Sequence, residues 1–408
     1  MARIIGGIGT SHVPTIGLAV DRGAQDDPDW APLFAGYAPV AAWLAERRPD
    51  VLVYFYNDHA TTFMFDHYPT FALGVGERFA IADEGLGPRK VPPLRSHPGL
   101  ARHLARSLVY DEFDLAVFQD LPLDHGCNSP LSMLWPSAPD WPGLVVPLAI
   151  NVLQHPLPTA LRCYRLGQAV RRAVASYPDD LKVVVVGTGG LSHQLSGERA
   201  GFNNPEWDLR FLELVERDPR TLAAITHAEY ARLGGTEGAE VIMWLAMRGA
   251  LADGARKVHQ GYYLPLTTAM AVALFEEPVA AAPAPPRPAR HPQLDGIEAL
   301  PGTYLFDLER SARALRLNRF LHGLVAPESR ARFRDSPEAA FARAGLTAEE
   351  RRLVRERDWP GLVRYGASFF TLEKLARVSG VSNPEMVAAM RGETLPDFLA
   401  TRNVPGAR

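Results

Sequence analysis

The sequence lacks any apolar segment long enough to cross a bilayer, because no uninterrupted apolar run approaches the roughly 20 residues that a transmembrane helix requires. Its first residues, Met-Ala-Arg-Ile-Ile-Gly-Gly, lack the apolar core and cleavage site of a secretory signal. Cysteine is scarce, since Cys127 and Cys163 are the only two. Two cysteines are too few for a disulfide framework and suit a reducing compartment. We therefore expect a cytoplasmic protein with no membrane partner.

An excess of charge of either sign is also missing. The chain has 43 Lys and Arg residues against 46 Asp and Glu residues, which gives a net charge of −3. Strongly basic patches are what attract nucleic acids and anionic membrane surfaces, so we expect no nucleic-acid partner. The composition is that of an ordinary globular protein, and 408 residues are enough for two domains.

One change in composition divides the chain. Residues 277–296 are rich in Pro and Ala and show no hydrophobic period, which is typical of an extended, semi-rigid linker. Residues 1–276 alternate strand-like and helical runs, which predicts an α/β domain with a central sheet flanked by helices. Residues 297–408 have apolar residues at three- and four-residue spacing, which predicts a small all-helical domain.

Within the first domain the apolar patterns predict individual elements. The predicted strands are residues 3–7, 51–56, 113–119, 144–151 and 182–187. The predicted helices are residues 38–47, 98–108, 160–176, 205–217 and 238–249.

Polar residues follow three of these strands. His12 comes after the first strand, His59 after residues 51–56, and His193 after residues 182–187 and a glycine-rich turn. Ligands of open α/β sheets bind at the carboxyl ends of the strands. Glu240 lies near the start of a strongly apolar helix. We interpret these residues as a metal site built from the ends of different elements.

The residue types also suit a metal. Two histidines and one carboxylate on one face are a ligand set for iron that leaves three positions open, and His12, His59 and Glu240 could supply it. Substrate and dioxygen could then bind together. A further histidine beside such a site is a natural general acid–base, because its unperturbed pKa lies near working pH. His193 has that position.

Other interpretations compete with this one. A histidine after a strand is often a hydrogen-bonded structural residue, and acidic residues such as Glu237 and Glu240 are favoured at a helix start by the helix dipole alone. The turn at residues 187–190 fits neither the dinucleotide fingerprint nor the P-loop. Similar ligands also serve zinc hydrolases, and a fold can host a metal-free binding protein.

Five motifs occur in a characteristic order. They are Ser11-His12-Val13-Pro14, Tyr56-Asn-Asp-His-Ala60, Asp124-His-Gly-Cys127, Gly187-Thr-Gly-Gly-Leu-Ser-His-Gln194 and Glu237-Gly-Ala-Glu-Val-Ile-Met-Trp244. Their order and separations resemble the catalytic β subunit of the class III extradiol ring-cleaving dioxygenases, the protocatechuate 4,5-dioxygenase family. Residues 297–408 resemble, more weakly, the small helical α subunit that forms a lid over the active site. One chain carries both parts here, as in gallate dioxygenases.

The resemblance implies roles for five residues. His12, His59 and Glu240 would bind Fe(II), and His193 would be the acid–base residue. His125 matches another active-site histidine that would position oxygen or substrate, although a hydrogen-bonded structural histidine is an equal alternative.

Substrate contacts are implied as well. Thr267 and Thr268 fall where the family has a hydroxyl and an amide residue that contact the ring carboxylate, but the amide is missing here. These threonines could equally be packing residues bonded to backbone. Asn383 stands near a family aromatic of the lid and would make the mouth more polar. A polar mouth suits an extra ring hydroxyl, which favours gallate.

The resemblance therefore implies Fe(II)-dependent extradiol cleavage of a carboxylated catechol or pyrogallol by dioxygen. Gallate is the first candidate substrate, and protocatechuate and 3-O-methylgallate are the alternatives. We expect a homodimer, because the fused lid could cover its own site or that of a second copy. A metal-free binding protein on the same scaffold is the alternative of another class.

Overall fold

A computed structural model describes residues 1–85, 87–135, 137, 140–278 and 296–402. The chain divides into two compact units, Met1–His291 and Pro292–Arg408. Most of the predicted linker, residues 279–295, lies outside the described residues. In the part of the chain that is described, no helix combines the length and apolar character needed to cross a membrane.

The elements of the first unit alternate in type along much of the chain. Its strands are β1 (Arg3–Thr10), β2 (Val51–Tyr56), β3 (Phe71–Gly74), β4 (Arg78–Phe79), β5 (Leu94–Arg95), β6 (Ala116–Phe118), β7 (Leu144–Ile150), β8 (Lys182–Thr188), β9 (Arg256–Tyr263) and β10 (Met270–Glu276). Its helices are α1 (Pro14–Asp21), α2 (Ala31–Arg47), α3 (Pro98–Tyr110), α4 (His125–Leu134), α5 (Ala160–Ser176), α6 (Pro205–Arg217), α7 (Pro219–Ala224), α8 (His227–Gly234) and α9 (Ile242–Ala250), with 3₁₀ turns at Ala24–Asp26 and Glu237–Val241.

Eight strands form one mixed sheet in the order β6-β3-β7-β2-β8-β1-β10-β9. The central strands β7, β2, β8 and β1 are parallel, whereas β10 pairs with β1 and β9 in antiparallel fashion. In the register, Thr10 lies opposite Thr188 and Phe55 opposite Gly187. The carboxyl ends of β1, β2 and β8 therefore meet at one edge. The predicted α/β architecture is confirmed.

The central strands are buried on both faces, which explains their apolar, β-branched sequences. On one face, Tyr54 and Val186 pack in a cluster with Tyr37 of α2 and Leu131 of α4, all of them buried. Burial of side chains of this size stabilises the fold by roughly 1.5–3 kcal/mol each.

Helix α9 lies unusually close to the opposite face. A Cβ atom on Gly187 would lie 2.4 Å from the carbonyl oxygen of Met243, so only glycine allows this approach. Trp244 of the same helix is fully buried and donates its indole N–H to the carbonyl of Gly189 at 3.1 Å. The close packing brings the start of α9 to the carboxyl ends of β1 and β8.

Several element boundaries differ from the prediction. The predicted helix 238–249 begins as a 3₁₀ turn before α9, and the predicted strand 113–119 is reduced to Ala116–Phe118 at the sheet edge. Strands β3, β4, β5, β9 and β10 were not predicted. The other four strand predictions are confirmed within a few residues, and helices α5 and α6 match their predicted ranges.

The described part of the second unit is helical, as predicted. It has a 3₁₀ turn at Ile297–Ala299 and helices α10 (Leu308–Arg313), α11 (Leu315–Gly323), α12 (Pro327–Asp335), α13 (Pro337–Arg343), α14 (Ala348–Glu356), α15 (Trp359–Tyr365), α16 (Phe369–Val378), α17 (Asn383–Arg391) and α18 (Leu395–Ala400). Its own core includes Leu321, Phe341 and Leu372. Thr347 and Ser382 begin α14 and α17 with capping boxes.

Candidate active site

Three different elements bring His12, His59 and Glu240 together. His12 follows β1, His59 follows β2, and Glu240 lies in the 3₁₀ turn before α9. One potential ligand atom from each residue lies within 4.8 Å of the other two. The carboxylate of Glu240 is 3.1 Å from Nε2 of His12 and 3.7 Å from Nε2 of His59. The three side chains therefore form a group that could hold a metal ion.

The ring of His12 is held with one nitrogen directed at this group. Its Nδ1 is 2.9 Å from the hydroxyl of Thr188. Its Nε2 is buried and has no hydrogen-bond partner, although the carboxylate of Glu240 is nearby. Burial lowers the pKa of His12. A neutral imidazole with an unpartnered inward nitrogen is what a metal ligand requires.

His59 is held by a carboxylate from another segment. Its backbone N–H and its Nδ1 both lie 2.8 Å from Oδ2 of Asp124. Burial opposes protonation of His59, but hydrogen bonds and charge from Asp124 and Glu240 outweigh it and raise the pKa to about 10. Because Nδ1 is engaged by Asp124, Nε2 is the nitrogen that faces Glu240.

Glu240 is a buried carboxylate among imidazoles. The backbone N–H of Gly190 donates to its Oε2 at 2.7 Å. Burial alone would raise the pKa of Glu240, but interactions with His12, His59 and His193 hold it well below its usual range. The group is therefore ionised, and its oxygens are available to a cation.

A cavity of about 350 Å³ opens above this group. His12, His59, Glu240, His125 and His193 line it. Its apolar wall consists of Val13, Pro14, Leu153, Leu195, Leu266 and Met270. A volume of this order suits a small ring with polar substituents. All five residues predicted from the catalytic motifs therefore lie around one cavity.

His193 presents a single free ring nitrogen. Its Nδ1 lies 2.8 Å from the carbonyl of Leu191 and donates to it, which leaves Nε2 without the proton in the neutral ring. That Nε2 is 3.9 Å from Oε2 of Glu240. The geometry therefore turns a proton-accepting atom towards the other polar groups of the cavity.

A buried carboxylate supports the loop that carries His193. Asp208 accepts hydrogen bonds from both the backbone N–H and the hydroxyl of Ser192, each at 2.7 Å. The hydroxyl of Tyr262 donates to the same carboxylate at 3.0 Å. Burial raises the pKa of Asp208, partly offset by these hydrogen bonds. Asp208 thus fixes the residue immediately before His193.

The residues predicted to contact substrate fall in two places. Thr267 and Thr268 both line the cavity. Asn383 belongs to the second unit, where its side-chain amide donates to Glu373 at 2.6 Å. Glu237, an acidic residue that the helix dipole alone would favour at this helix start, also lines the cavity and accepts a hydrogen bond from the backbone N–H of Leu195 at 3.1 Å.

Sequence reasoning missed three carboxylates of the site. Asp124 holds His59, Asp208 holds the loop before His193, and Glu84 contacts His125 through Nδ1 and the backbone N–H. Asp124 stands next to His125 in a quoted motif, which is a usable signal. Glu84 and Asp208 lie outside the five motifs. Each is distant in sequence from the residue that it contacts, so no local pattern indicates its role.

Comparison with known proteins identifies the family. Residues 6–275 match the family model described as the catalytic LigB subunit of aromatic ring-opening dioxygenase. The chain belongs to this family. It is thus an aromatic ring-opening dioxygenase, an enzyme that joins a small aromatic substrate with dioxygen. Residues 317–403 match the LigA subunit of the aromatic-ring-opening dioxygenase LigAB, so this LigB-family chain carries both parts.

Curated relatives of the LigB-family chain include dioxygenases of two kinds. It is 55% identical to the gallate dioxygenase of Pseudomonas putida, over 79% of this chain and 96% of that protein. It is 28% identical to a 2,3-dihydroxyphenylpropionate/2,3-dihydroxicinnamic acid 1,2-dioxygenase of Photorhabdus laumondii, over 63% of this chain and 92% of that protein. The similarly named enzyme of Paraburkholderia xenovorans is 30% identical, over 56% and 84%.

Proposed function

We propose that this chain cleaves the ring of gallate with dioxygen at a non-haem Fe(II) centre held by His12, His59 and Glu240. The observation that supports gallate as the substrate is the 55% identity to gallate dioxygenase across 96% of that protein. The order and grouping of the cavity residues support the same reaction. The first alternatives for the substrate are protocatechuate and 3-O-methylgallate.

The donor set fits ferrous iron. Two imidazole nitrogens and one carboxylate oxygen on one face are the ligands of many non-haem Fe(II) oxygenases. The raised pKa of His59 means that iron would displace a proton from this ring on binding. The unpartnered, buried Nε2 of His12 is an atom that such an ion would satisfy. The backbone N–H of Gly190 orients Glu240, and the carboxylate of Asp124 orients His59.

When bound, Fe(II) supplies the electron chemistry that dioxygen requires and holds both reactants in one geometry. The protein moves the protons. His193 is the acid–base residue, and its Nε2 accepts a proton from a ring hydroxyl because Nδ1 is committed to Leu191. Apolar lining residues such as Leu153 and Met270 offer a surface against which the ring can pack.

Thr267 and Thr268 are our candidates for contact with the ring carboxylate, and both border the cavity. Asn383, in the helical unit, is a further candidate for contact with the substrate. We assign catalysis to residues 1–276 and the lid role to residues 297–408, joined by the linker 277–296. A cytoplasmic homodimer is the assembly that we propose.

Oxygen uptake tests the proposal. Protein purified without oxygen and loaded with Fe(II) is given gallate, protocatechuate, 3-O-methylgallate or plain catechol, and zinc-loaded protein is the control. We expect rapid uptake of one dioxygen per ring with gallate and none with zinc. Faster uptake with protocatechuate or 3-O-methylgallate would show that this compound, and not gallate, is the preferred substrate. No uptake with any of the four compounds despite bound iron would refute the proposal.

A further inference from the structure

The rings of His59 and His125 are stacked, with centroids 3.9 Å apart and an interplanar angle of 27°. Each histidine is held by one carboxylate in the same manner, through its own backbone N–H and its ring Nδ1. For His59 the carboxylate is Asp124, and for His125 it is Glu84. The site therefore contains two stacked imidazoles, each supported by a carboxylate. The sequence motifs include only one of these carboxylates, Asp124.

The contact between Glu84 and His125 is short and uses both carboxylate oxygens. Oε1 lies 2.5 Å from Nδ1 of the ring, and Oε2 accepts from the backbone N–H at 3.0 Å. The side chain of His125 is only 11% exposed, against 32% for Glu84. A charge-assisted contact of this geometry fixes both the position and the orientation of a ring.

Backbone pairing brings the segments that carry the two residues side by side. Leu123 donates its N–H to Ala80 at 2.8 Å and accepts from the N–H of Ala82 at 2.9 Å. These two bonds form a parallel bridge between Ile81 and Leu123, so His125 follows the bridge by two residues and Glu84 by three. Around Glu84, the carboxylate of the preceding residue Asp83 accepts from the N–H of Gly85 at 2.9 Å and tightens the loop. Backbone hydrogen bonds and a tight turn therefore hold Glu84 next to His125.

We propose that Glu84 is a positioning residue for the reaction, which acts by holding His125. A carboxylate is an acceptor, so Nδ1 of His125 must carry the proton that joins the two groups. Nε2 is then the ring atom left to face the cavity, which His125 lines beside His59. Without Glu84 the ring is free to rotate or to move its proton to the other nitrogen. This inference rests on the proposed function.

Kinetics of iron-loaded variants test the role. We expect Glu84→Ala to keep its iron but to lower kcat/KM for the ring substrate by roughly 10- to 100-fold, the usual effect of removing such a support. Glu84→Gln keeps one acceptor and should lose less. The matched control is Glu77→Ala, an exposed residue of the same segment that is outside the cavity lining, and it should leave kcat/KM unchanged.

A double-mutant cycle separates positioning from a simple tether of the loop. If Glu84 acts through His125, Glu84→Ala should add nothing to the loss already caused by His125→Ala. Losses that multiply instead would overturn the proposal. If Glu84→Ala fails to fold, Glu84→Gln takes its place in the cycle.

Nitrogen-15 NMR of histidine-labelled, metal-free protein gives a readout that does not depend on turnover. His125→Ala identifies the signals of His125, and we expect its Nδ1 to carry a proton in the unmodified protein. Glu84→Ala should change the Nδ1 and Nε2 shifts of this ring. Unchanged shifts would overturn the proposal. Lack of oxygen uptake by the unmodified protein would instead refute the proposed function, and the NMR result would still report on Glu84.

Discussion

A single carboxylate oxygen of Asp124 accepts both the backbone N–H and the ring Nδ1–H of His59. The other oxygen accepts the N–H of Gly126 at 3.0 Å and caps the start of α4. One side chain therefore determines both the orientation of a candidate metal ligand and the first turn of a helix. Because the carboxylate is fully buried, water does not compete for these hydrogen bonds.

Replacement of Asp124 should weaken metal binding more than folding. Asp124→Asn removes the charge and leaves one acceptor for two donors on His59. We expect roughly 10- to 100-fold lower affinity for Fe(II), measured by competition with a chelator. Asp114→Asn, at an exposed position, is the control and should bind iron normally. Equal affinities in the two variants would contradict the role of Asp124.

Two glutamates of one 3₁₀ turn should behave differently. Glu240→Gln should abolish stoichiometric iron binding, because the amide cannot replace the buried anionic ligand. Glu237→Gln, its matched control, should keep its iron, because Glu237 bonds to Leu195 N–H and the Thr236 hydroxyl. Iron content is measured by elemental analysis after anaerobic loading. Retention of iron by Glu240→Gln would remove this residue from the ligand set.

His193→Ala should separate metal binding from turnover. The ring contacts Leu191 and faces the cavity, but it is not in the group formed by His12, His59 and Glu240. We expect full iron content and a kcat that is lower by roughly 10²- to 10⁴-fold, the usual contribution of general acid–base catalysis. Oxygen uptake at saturating substrate measures the loss, and an unchanged kcat would exclude the acid–base role.

Gly189→Ala should destabilise the catalytic unit. A Cβ atom there would lie 2.7 Å from the carbonyl oxygen of Glu240, and its φ is +134°. Gly201→Ala is the matched control, because its φ is +84° but no atom lies within 4 Å of the added Cβ. We expect the unfolding free energy of Gly189→Ala to be lower than that of the control by about 1–3 kcal/mol, measured by urea unfolding. Equal losses would show that the close approach is not a constraint.

In the helical unit, the buried carboxylate of Glu350 pairs with Arg316, whose side chain is 45% exposed. The contribution of this pair to stability depends on pH. Arg316 donates to Glu350 at 2.9 Å, and Thr347 N–H donates to the same carboxylate at 2.7 Å. Burial alone would raise the pKa of Glu350, but these contacts lower it. A lowered pKa in the folded state contributes stability above the unfolded pKa of about 4.3, and that stability is lost as pH falls through the folded pKa.

Glu350→Gln should therefore lower the free energy of unfolding at pH 7 by about 1.5–3 kcal/mol. The difference from the unmodified protein should shrink below roughly pH 4. Urea unfolding at several pH values measures both effects, with the exposed neighbour Glu349→Gln as the control. A difference that is constant from pH 7 to pH 3 would contradict the ionic contribution.

The sequence predicted the centre of the fold better than its edges. Strand β2 is apolar throughout and fully buried, so composition alone identifies it. The edge strand β9 alternates exposed and partly buried residues, and its polar sequence resembles a loop until β10 is placed beside it. Residues Glu237–Val241 form a 3₁₀ turn where α9 meets the ends of two strands. This is a tertiary constraint, and the helical periodicity of the sequence does not reveal it.

The site was predictable where the chain itself ends a strand with a histidine. His12 comes two residues after β1 and His59 three residues after β2, so local sequence indicates their position. The carboxylates behind the histidines were not predictable in this way, because Glu84 is 41 residues from His125 and Asp124 is 65 residues from His59. Such supports depend on how separate segments pair, and a strand pattern does not specify that pairing.

Helix α9 is buried along its whole length, and the turn at its amino end carries Glu240. The anionic group of the cavity is thus anchored in the hydrophobic core and not in a surface loop. As a consequence, a change in the stability of α9 also changes the position of Glu240, so folding stability and catalytic activity are coupled in this enzyme. A substitution that loosens α9 would register in a screen for activity as a catalytic defect, although it touches no reacting atom.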